Sequence, residues 1–249
     1  MKCVYCNKHI APNDKSGEHV ISKSVLKLGL GNKIDNITSS SLFKKRTICA
    51  YQHKIYDVCA RCNNRLSPYD NAGKEFASEA NNYFNASNVL LRINILKLGW
   101  LIKTHLNFIR SFPDKKTGAY YPINGNFYNA IIGRYSVEPS LFSLLIEGME
   151  GKQYYWDEND PRRIQYFKYK HVLFPKQRIV VSDLRLKAIN TYLLLPSDNN
   201  YDNFSIRSKS TRVDMKIEYN KNPDEVDVDM SQNLGYINVK CQNSPDDWY

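Results

Sequence analysis

The chain has 249 residues, 42% of them hydrophobic and 24% charged, which is enough apolar content for one large domain or for a small domain joined to a larger one. This balance excludes a wholly disordered chain, and no apolar run with a small-residue cleavage site opens the sequence, so we expect a cytoplasmic protein. The formal net charge of +10 favours a polyanionic partner, because Lys and Arg gain affinity by displacing counterions from phosphates.

The positive charge is concentrated near the start of the chain. Residues 1–80 carry 13 Lys and Arg against 7 Asp and Glu, whereas residues 81–249 carry 22 against 18. An ordinary basic surface would explain the total but not this clustering. We therefore expect the first third of the chain to face nucleic acid.

Two Cys-x-x-Cys pairs bracket this basic region. Cys3 and Cys6 form the first pair, Cys59 and Cys62 form the second, and 52 residues separate them. Four thiolates in two such turns can surround one zinc ion tetrahedrally. A redox-active dithiol is the alternative for either pair alone, but it does not explain why there are two. The spacing predicts a structural zinc site, which is closed and leaves no open position for chemistry.

Further motifs lie between and after the cysteine pairs. Glu18 and His19 are adjacent in GEHVIS (17–22), Asn36 ends the segment IDN (34–36), and Asn63 and Asn64 directly follow the second pair. The order Cys-x-x-Cys, Glu-His, Asn, Cys-x-x-Cys-Asn resembles the HNH endonucleases of the ββα-metal fold, in their zinc-bearing branch. The resemblance covers about residues 1–80 and does not extend to residues 81–249.

The resemblance implies a role for each of these residues. Glu18 matches the acidic metal ligand, and His19 matches the general base that takes a proton from the attacking water. Asn36 matches the middle residue, which steadies the loop and the histidine. Asn63 matches the metal ligand on the helix, and Asn64 is the fallback for that role.

Two positions differ from the family pattern or stay ambiguous. Ser22 stands where the family commonly has proline, which affects the loop and not the chemistry. Asn32 lies in a polar loop similar to that of Asn36 and is an alternative to it.

These residue types suit metal-assisted hydrolysis of a phosphodiester. A carboxylate and an amide oxygen are hard ligands for Mg²⁺ or Mn²⁺, and a neutral imidazole can act as a base at physiological pH. On a regular strand, however, Glu18 and His19 would point to opposite faces. Gly17 makes a backbone irregularity plausible at this point.

Nucleic acid, with DNA favoured, is therefore the expected partner. The basic run FKKR (43–46) would contact its backbone, although such runs are often simply solvated. The aromatic segments YYW (154–156) and RRIQYFKYKH (162–171) could stack bases, or they could belong to a core. The resemblance further implies bacterial defence against foreign DNA, alongside a partner protein such as an ATPase.

Helices are expected next in the chain. The segment 73–84 reads as a helix that leads out of the N-terminal module. An apolar stripe with a period of three to four residues then predicts a helix from about residue 88 to 111. Arg92 and Lys97 interrupt this segment, so we expect no membrane span. The residues of the stripe are Leu91, Ile95, Leu98, Ile102, Leu106 and Ile109.

Strand patterns dominate the remainder of the chain. They occupy residues 178–183, 191–196, 212–219, 225–230 and 235–241. The segment NKNPD (220–224) would join the third and fourth of these runs in a hairpin. The sequence thus predicts an α+β protein: a ββα-metal HNH module in residues 1–80, braced by a four-cysteine zinc site, and an accessory domain of helix and antiparallel sheet in residues 81–249.

Three functions are compatible with these patterns. A metal-dependent HNH endonuclease gives every motif a task. A zinc-stabilised nucleic-acid-binding module without hydrolytic activity needs the zinc and the basic charge, but gives Glu18, His19 and Asn63 no joint role. A pure scaffold would need neither the basic charge nor these three residues.

Overall fold

The fold is built from helices and small antiparallel sheets. In this computed structural model the structure describes residues 1–30, 37–40, 45–48, 54–85, 90–112, 120–121, 123–137, 142–148, 167–174, 179–186, 189–196, 206–207, 211–213, 226–229 and 238–239. Every strand pair within these ranges is antiparallel. The predicted α+β class is confirmed.

The N-terminal part alternates short strands with helices. A 3-10 turn at Pro12–Asp14 precedes the first strand. The elements that follow are β1 (Lys15–His19), α1 (Lys23–Leu30), β2 (Ile37–Ser40), β3 (Lys45–Ile48), β4 (Lys54–Cys59), α2 (Ala60–Arg65), α3 (Ser67–Asn85) and β5 (Leu90–Ile93). Strand β1 pairs with β4, and helix α2 begins directly where β4 ends. Two antiparallel strands and a helix thus meet at the second cysteine pair.

In the described part of the chain after β5 there are two helices and most of the strands. These elements are α4 (Ile95–Ser111), α5 (Gly125–Ile131), β6 (Ser143–Gly148), β7 (Phe167–Phe174), β8 (Ile179–Leu186), β9 (Ile189–Pro196), β10 (Ile206–Arg207), β11 (Thr211–Val213), β12 (Val226–Asp229) and β13 (Asn238–Val239). The largest sheet has five strands in the order β11-β6-β9-β8-β7. The strands predicted at 178–183 and 191–196 are its adjacent members β8 and β9.

Helix α4 forms the centre of the molecule. Fourteen of its 17 residues are buried, which is typical of a helix covered on all sides. It packs against α3 on one side and against β8 and β9 of the large sheet on another. The hydrophobic core therefore runs from the N-terminal module to the sheet without a break.

The helix predicted from about residue 88 to 111 begins later than expected, at Ile95. The side chain of Asn94 accepts hydrogen bonds from the amides of Leu96 and Lys97, at 3.1 and 2.9 Å, and caps the helix there. Leu91, which the periodic pattern assigned to the helix, lies in strand β5, and β5 pairs with β12. The apolar pattern of the helix continues into strand β5, so it does not reveal where the helix begins. The Asn94 cap marks that point.

Helices α3 and α4 approach closely at two glycines. A Cβ on Gly73 would lie 2.3 Å from the ring of Trp100, and a Cβ on Gly99 would lie 2.2 Å from Cε1 of Tyr69. Each helix therefore places a large ring over a glycine of the other. The hydroxyl of Tyr69 also donates a hydrogen bond to the carbonyl of Ile131, at 2.8 Å.

The hairpin predicted between residues 212–219 and 225–230 is described only in part. Strand β11, at the start of the first segment, pairs with β6, and strand β12, in the second segment, pairs with β5. The proposed turn at 220–224 and the aromatic segment 154–156 lie outside the described residues, as do Asn32, Asn36 and the first half of FKKR. Among the helices that the structure describes, none is long and apolar enough to cross a membrane.

Candidate metal centre and catalytic site

The four cysteines of the two Cys-x-x-Cys pairs come together in the interior. The sulfur atoms of Cys3, Cys6, Cys59 and Cys62 all lie within 4.8 Å of one another, and all four residues are buried. The sulfurs of Cys6 and Cys59 are 3.9 Å apart. Tetrahedral zinc with Zn–S bonds of about 2.3 Å requires sulfurs roughly 3.8 Å apart, so the cluster has the size of a metal site.

The backbone around the first pair is shaped for metal binding. Asn7 has a φ of 58°, a left-handed conformation that asparagine tolerates better than most residues. This turn lets the amide of Asn7 donate to the carbonyl of Cys3, at 2.8 Å, and brings the amide of Lys8 to the sulfur of Cys6. The amide of Cys59 points at the sulfur of Cys3, at 3.4 Å. Such contacts orient thiolates in a metal site.

The chemistry of the cluster also fits a cation. Burial, together with the neighbouring sulfurs, raises the pKa of Cys62, and burial raises the pKa of Cys3. Several thiolates this close would repel one another without a positive ion between them. A divalent metal such as zinc provides that charge and holds the sulfurs deprotonated.

Strand β1 carries the Glu-His pair, and its pairing with β4 is irregular just before that pair. The pairing of Ser16 with Val58 shifts to that of Glu18 with Ile55, so β4 has one extra residue, a bulge, opposite Gly17. Glu18 and His19 themselves follow in regular register, and His19 lies opposite Lys54. Their side chains therefore leave the strand on opposite faces.

Glu18 points inward and is 2% exposed. The hydroxyl of Tyr5 donates to its carboxylate at 2.9 Å, and the side-chain amide of Asn107 donates at 3.0 Å. Arg110 forms a close, hydrogen-bonded ion pair with it, and Nζ of Lys103 lies 3.4 Å from Oε1. Three of these four partners come from α4, so the carboxylate joins β1 to that helix.

The charges alternate through the interior beyond Glu18. Lys103 also contacts Asp70 of α3, at 2.7 Å, and Nη1 of Arg110 lies 3.5 Å from Oδ1 of Asp57. Burial opposes the ionised form of Glu18, but the Arg110 and Lys103 cations outweigh it and lower the pKa of the carboxyl group. Burial likewise opposes charge on Lys103, yet Asp70 and Glu18 raise its pKa. At neutral pH Glu18 and Lys103 are therefore both charged.

His19 occupies the opposite face and is only half-buried. Its backbone carbonyl accepts a hydrogen bond from the Asn107 side chain, at 3.3 Å. On the same strands Lys15 and Lys54 are exposed, and Nζ of Lys15 lies 5.6 Å above the ring of Tyr56, which is 51% exposed. The half-exposed His19 thus lies opposite Lys54, on a pair of strands that also carries Lys15 and Tyr56.

The predicted helix ligands lie beside β1. Nδ2 of Asn63 donates to the hydroxyl of Ser16 at 2.9 Å, which ties α2 to the strand that bears His19. Asn64 is exposed on the same helix. Asn36 lies outside the described residues. The structure thus brings Asn63 to strand β1 at Ser16, three residues before His19, and the Glu18 carboxylate lies among the residues of α4.

Sequence reasoning assigned no role to Asp57, Lys103, Asn107 and Arg110, although all four surround Glu18. A signal for three of them was present. Lys103, Asn107 and Arg110 follow one another at spacings of four and three residues, which places them on one side of a mostly apolar helix. Such a polar stripe on a buried helix predicts a buried partner of opposite charge.

No family model matches the chain, and its comparison with curated proteins and with solved structures gives no significant match.

Proposed function

We propose that this chain is a metal-dependent endonuclease of the HNH type, which hydrolyses phosphodiester bonds in nucleic acid, with DNA favoured. The observation that carries the proposal is the contact of Asn63 with Ser16 beside the cysteine cluster. It joins a helix residue with a possible ligand atom to the strand that ends at His19. Two antiparallel strands followed by a helix are what the resemblance to the ββα-metal fold implies.

In this proposal each described residue has a chemical task. The four cysteines hold a structural zinc ion that fixes the junction of β4 and α2. His19 accepts a proton from the attacking water, since a half-exposed imidazole can be neutral near pH 7. Asn63 offers its amide oxygen to Mg²⁺ or Mn²⁺, with Asn64 as the fallback. The divalent metal would stabilise the charge that develops on the phosphate and on the departing oxygen.

The predicted metal-ligand role of Glu18 requires an exchange of partners. Its carboxylate already accepts hydrogen bonds from Tyr5, Asn107 and Arg110, so a metal ion would have to displace some of these donors. The residues around His19 fit a polyanion more directly. Lys15 and Lys54 can neutralise phosphates, and the exposed ring of Tyr56 can stack on a base.

The resemblance extends the proposal to biological context. A nuclease of this kind would act in bacterial defence against foreign DNA, and it would work with a partner protein such as an ATPase. The accessory role of residues 81–249 would then include contact with that partner.

A binding module without hydrolytic activity is the second candidate. The enclosure of Glu18 by protein cations favours it, because a carboxylate held in this way contributes nothing to an open metal site. The exposed Lys15, Lys54 and Tyr56 suit binding as well as catalysis.

The two functions are separated by incubating the purified protein with supercoiled DNA, single-stranded DNA and RNA. Each substrate is tested with Mg²⁺, Mn²⁺ or EDTA, and binding is measured in parallel by mobility shift. The nuclease proposal expects cleavage with a divalent metal and none with EDTA. Binding without cleavage on all three substrates would favour the binding module.

A further inference from the structure

Helix α4 holds the segment that contains the Glu-His pair at several points. The side chain of Asn107 donates both to the carboxylate of Glu18, at 3.0 Å, and to the backbone carbonyl of His19, at 3.3 Å. Two turns earlier on the helix, Nε1 of Trp100 donates to the hydroxyl of Ser22, at 3.1 Å. Residues 18–22 are therefore attached to one rigid, buried helix at both ends.

Arg110 strengthens this attachment from its end of the helix. Its guanidinium pairs with Glu18, and its carbon Cζ lies 5.3 Å from the ring centroid of Tyr5 and 5.5 Å from that of Tyr128. Side-chain exposure is 9% for Arg110 and 2% for Glu18. A buried ion pair of this kind contributes little net stability compared with apolar packing, but it fixes the geometry of the groups that it joins.

The location of these contacts indicates what the fixed geometry serves. Strand β1 ends at His19, and the chain leaves it toward α1 through Ser22, whose carbonyl accepts from the amides of Val25 and Leu26. His19 is the last residue of the strand, where it lies opposite Lys54. Asn107 holds the backbone of His19 from the interior as well, while its imidazole lies on the other, half-exposed face.

We infer that Asn107 and Arg110 are positioning residues, which hold β1 through Glu18 and the His19 carbonyl and thereby orient the His19 imidazole at the candidate site. The inference rests on the proposed function for its effect on catalysis. It also makes residues 81–249 part of the site, since α4 belongs to that region. Glu18 then acts as the buried anchor of the strand.

The test compares Asn107→Ala and Arg110→Lys with Thr104→Val as the matched control. Thr104 lies on the same helix and is fully buried, and its hydroxyl has no hydrogen-bond partner among the described residues. The first readout is the ring carbon–proton signal of His19 in a two-dimensional NMR spectrum, assigned by its loss in His19→Gln. The second is the split between kcat and KM for cleavage.

We expect the His19 signal to move in both positioning variants and to stay in place in Thr104→Val. We expect kcat to fall about 10- to 100-fold with KM changed by less than about 3-fold, because small displacements of a reacting group cost rate rather than affinity. Arg110→Lys keeps the positive charge but loses the planar guanidinium group. If Asn107→Ala fails to fold, Arg110→Lys alone is compared with Thr104→Val.

An unmoved His19 signal in a folded positioning variant would overturn the inference, whether or not the protein cleaves nucleic acid. A moved signal in a protein that cleaves no substrate would support the positioning role and reject the proposed function. The NMR readout therefore separates the two failures.

Discussion

Glu18 is a carboxylate in the interior of the protein, and removing it from water costs several kcal/mol unless charged partners compensate. Arg110 and Lys103 provide that compensation, and Tyr5 and Asn107 add hydrogen bonds. The arrangement predicts a large penalty if only the negative charge is removed, because two cations would stay buried without it.

We predict that Glu18→Gln lowers the free energy of unfolding by about 3–5 kcal/mol, the usual cost of breaking a buried ion pair from one side. Denaturation with urea, in buffer without added Mg²⁺ or Mn²⁺, would measure it. Glu79→Gln is the comparison, since Glu79 pairs with the buried Lys97 at 2.6 Å but is itself 33% exposed, and we expect a smaller loss of about 1–2 kcal/mol. Equal losses in the two variants would contradict the account of Glu18.

His105 is another buried polar residue of α4, on the side of the large sheet. Its Nδ1 lies 2.7 Å from the hydroxyl of Ser182, and its Nε2 lies 3.1 Å from the hydroxyl of Thr191. Thr191 donates to the carbonyl of Leu184, so it accepts from His105, and the ring is satisfied in its neutral form. Burial lowers the pKa of His105 to about 3.

This depressed pKa predicts that stability falls in acid. The unfolded state binds a proton at His105 below about pH 6.5, whereas the folded state does so only near pH 3. The stability is therefore complete above about pH 6.5 and decreases by up to about 1.4 kcal/mol per pH unit between these values. Between pH 7.5 and 5.0 we expect wild type to lose about 2 kcal/mol more than His105→Gln, as measured by urea denaturation. Parallel pH profiles of the two proteins would refute this.

At the scale of elements, α4 shows what the sequence could and could not reveal. Its apolar period predicted a helix, and the end near Ser111 agrees with the structure. The predicted start of the helix was wrong, because Leu91 of β5 has the same spacing as the apolar residues of the helix. Asn94 was the local signal for the true start, since asparagine is a favoured N-cap.

The candidate site was predictable in part for similar reasons. The cysteine spacing is local information, and the predicted cluster forms as expected. The environment of Glu18 depends on α4, which follows about 85 residues later in the chain, and no local pattern around Glu18 contains it. An irregularity at Gly17 was anticipated, but the extra residue belongs to β4, opposite Gly17, and Glu18 and His19 stay on opposite faces of β1. Pairings of β5 with β12 and of β6 with β11 were likewise outside the reach of local patterns.

The contact between α3 and α4 depends on glycine at the crossing. We predict that Gly99→Ala lowers the free energy of unfolding by about 1–3 kcal/mol, because its Cβ would overlap the ring of Tyr69. That ring cannot move away without losing its hydrogen bond to Ile131. Gly125→Ala is the control, since nothing lies within 4 Å of its Cβ position, and we expect a change within about 0.5 kcal/mol. A neutral Gly99→Ala would contradict the close helix packing.

For the whole molecule, the cysteine cluster and α4 hold the N-terminal strands from two sides. The cluster joins the first turn of the chain to the junction of β4 and α2, and α4 holds β1 through Glu18. Arg134, which follows α5, also donates to the carbonyl of Cys6, at 2.9 Å. The N-terminal region is therefore packed against the rest of the chain along much of its length.

We predict that the purified protein contains about one zinc ion per chain and that Cys62→Ser lowers both its zinc content and its melting temperature. Elemental mass spectrometry and thermal unfolding measure the two effects. Cys241→Ser is the control, since this cysteine belongs to neither Cys-x-x-Cys pair, and it should keep its zinc. A folded wild-type protein without bound metal would contradict the structural zinc site.

The most direct measurement is single-turnover cleavage of supercoiled plasmid by wild type, His19→Ala and His9→Ala, each zinc-loaded and supplied with Mg²⁺ or Mn²⁺. His9 is an exposed histidine of the same region and serves as the matched control. We predict that His19→Ala lowers the rate constant about 100-fold or more, as loss of a general base does, and that His9→Ala retains the wild-type rate. Metal-dependent cleavage at the wild-type rate by folded His19→Ala would contradict the central claim.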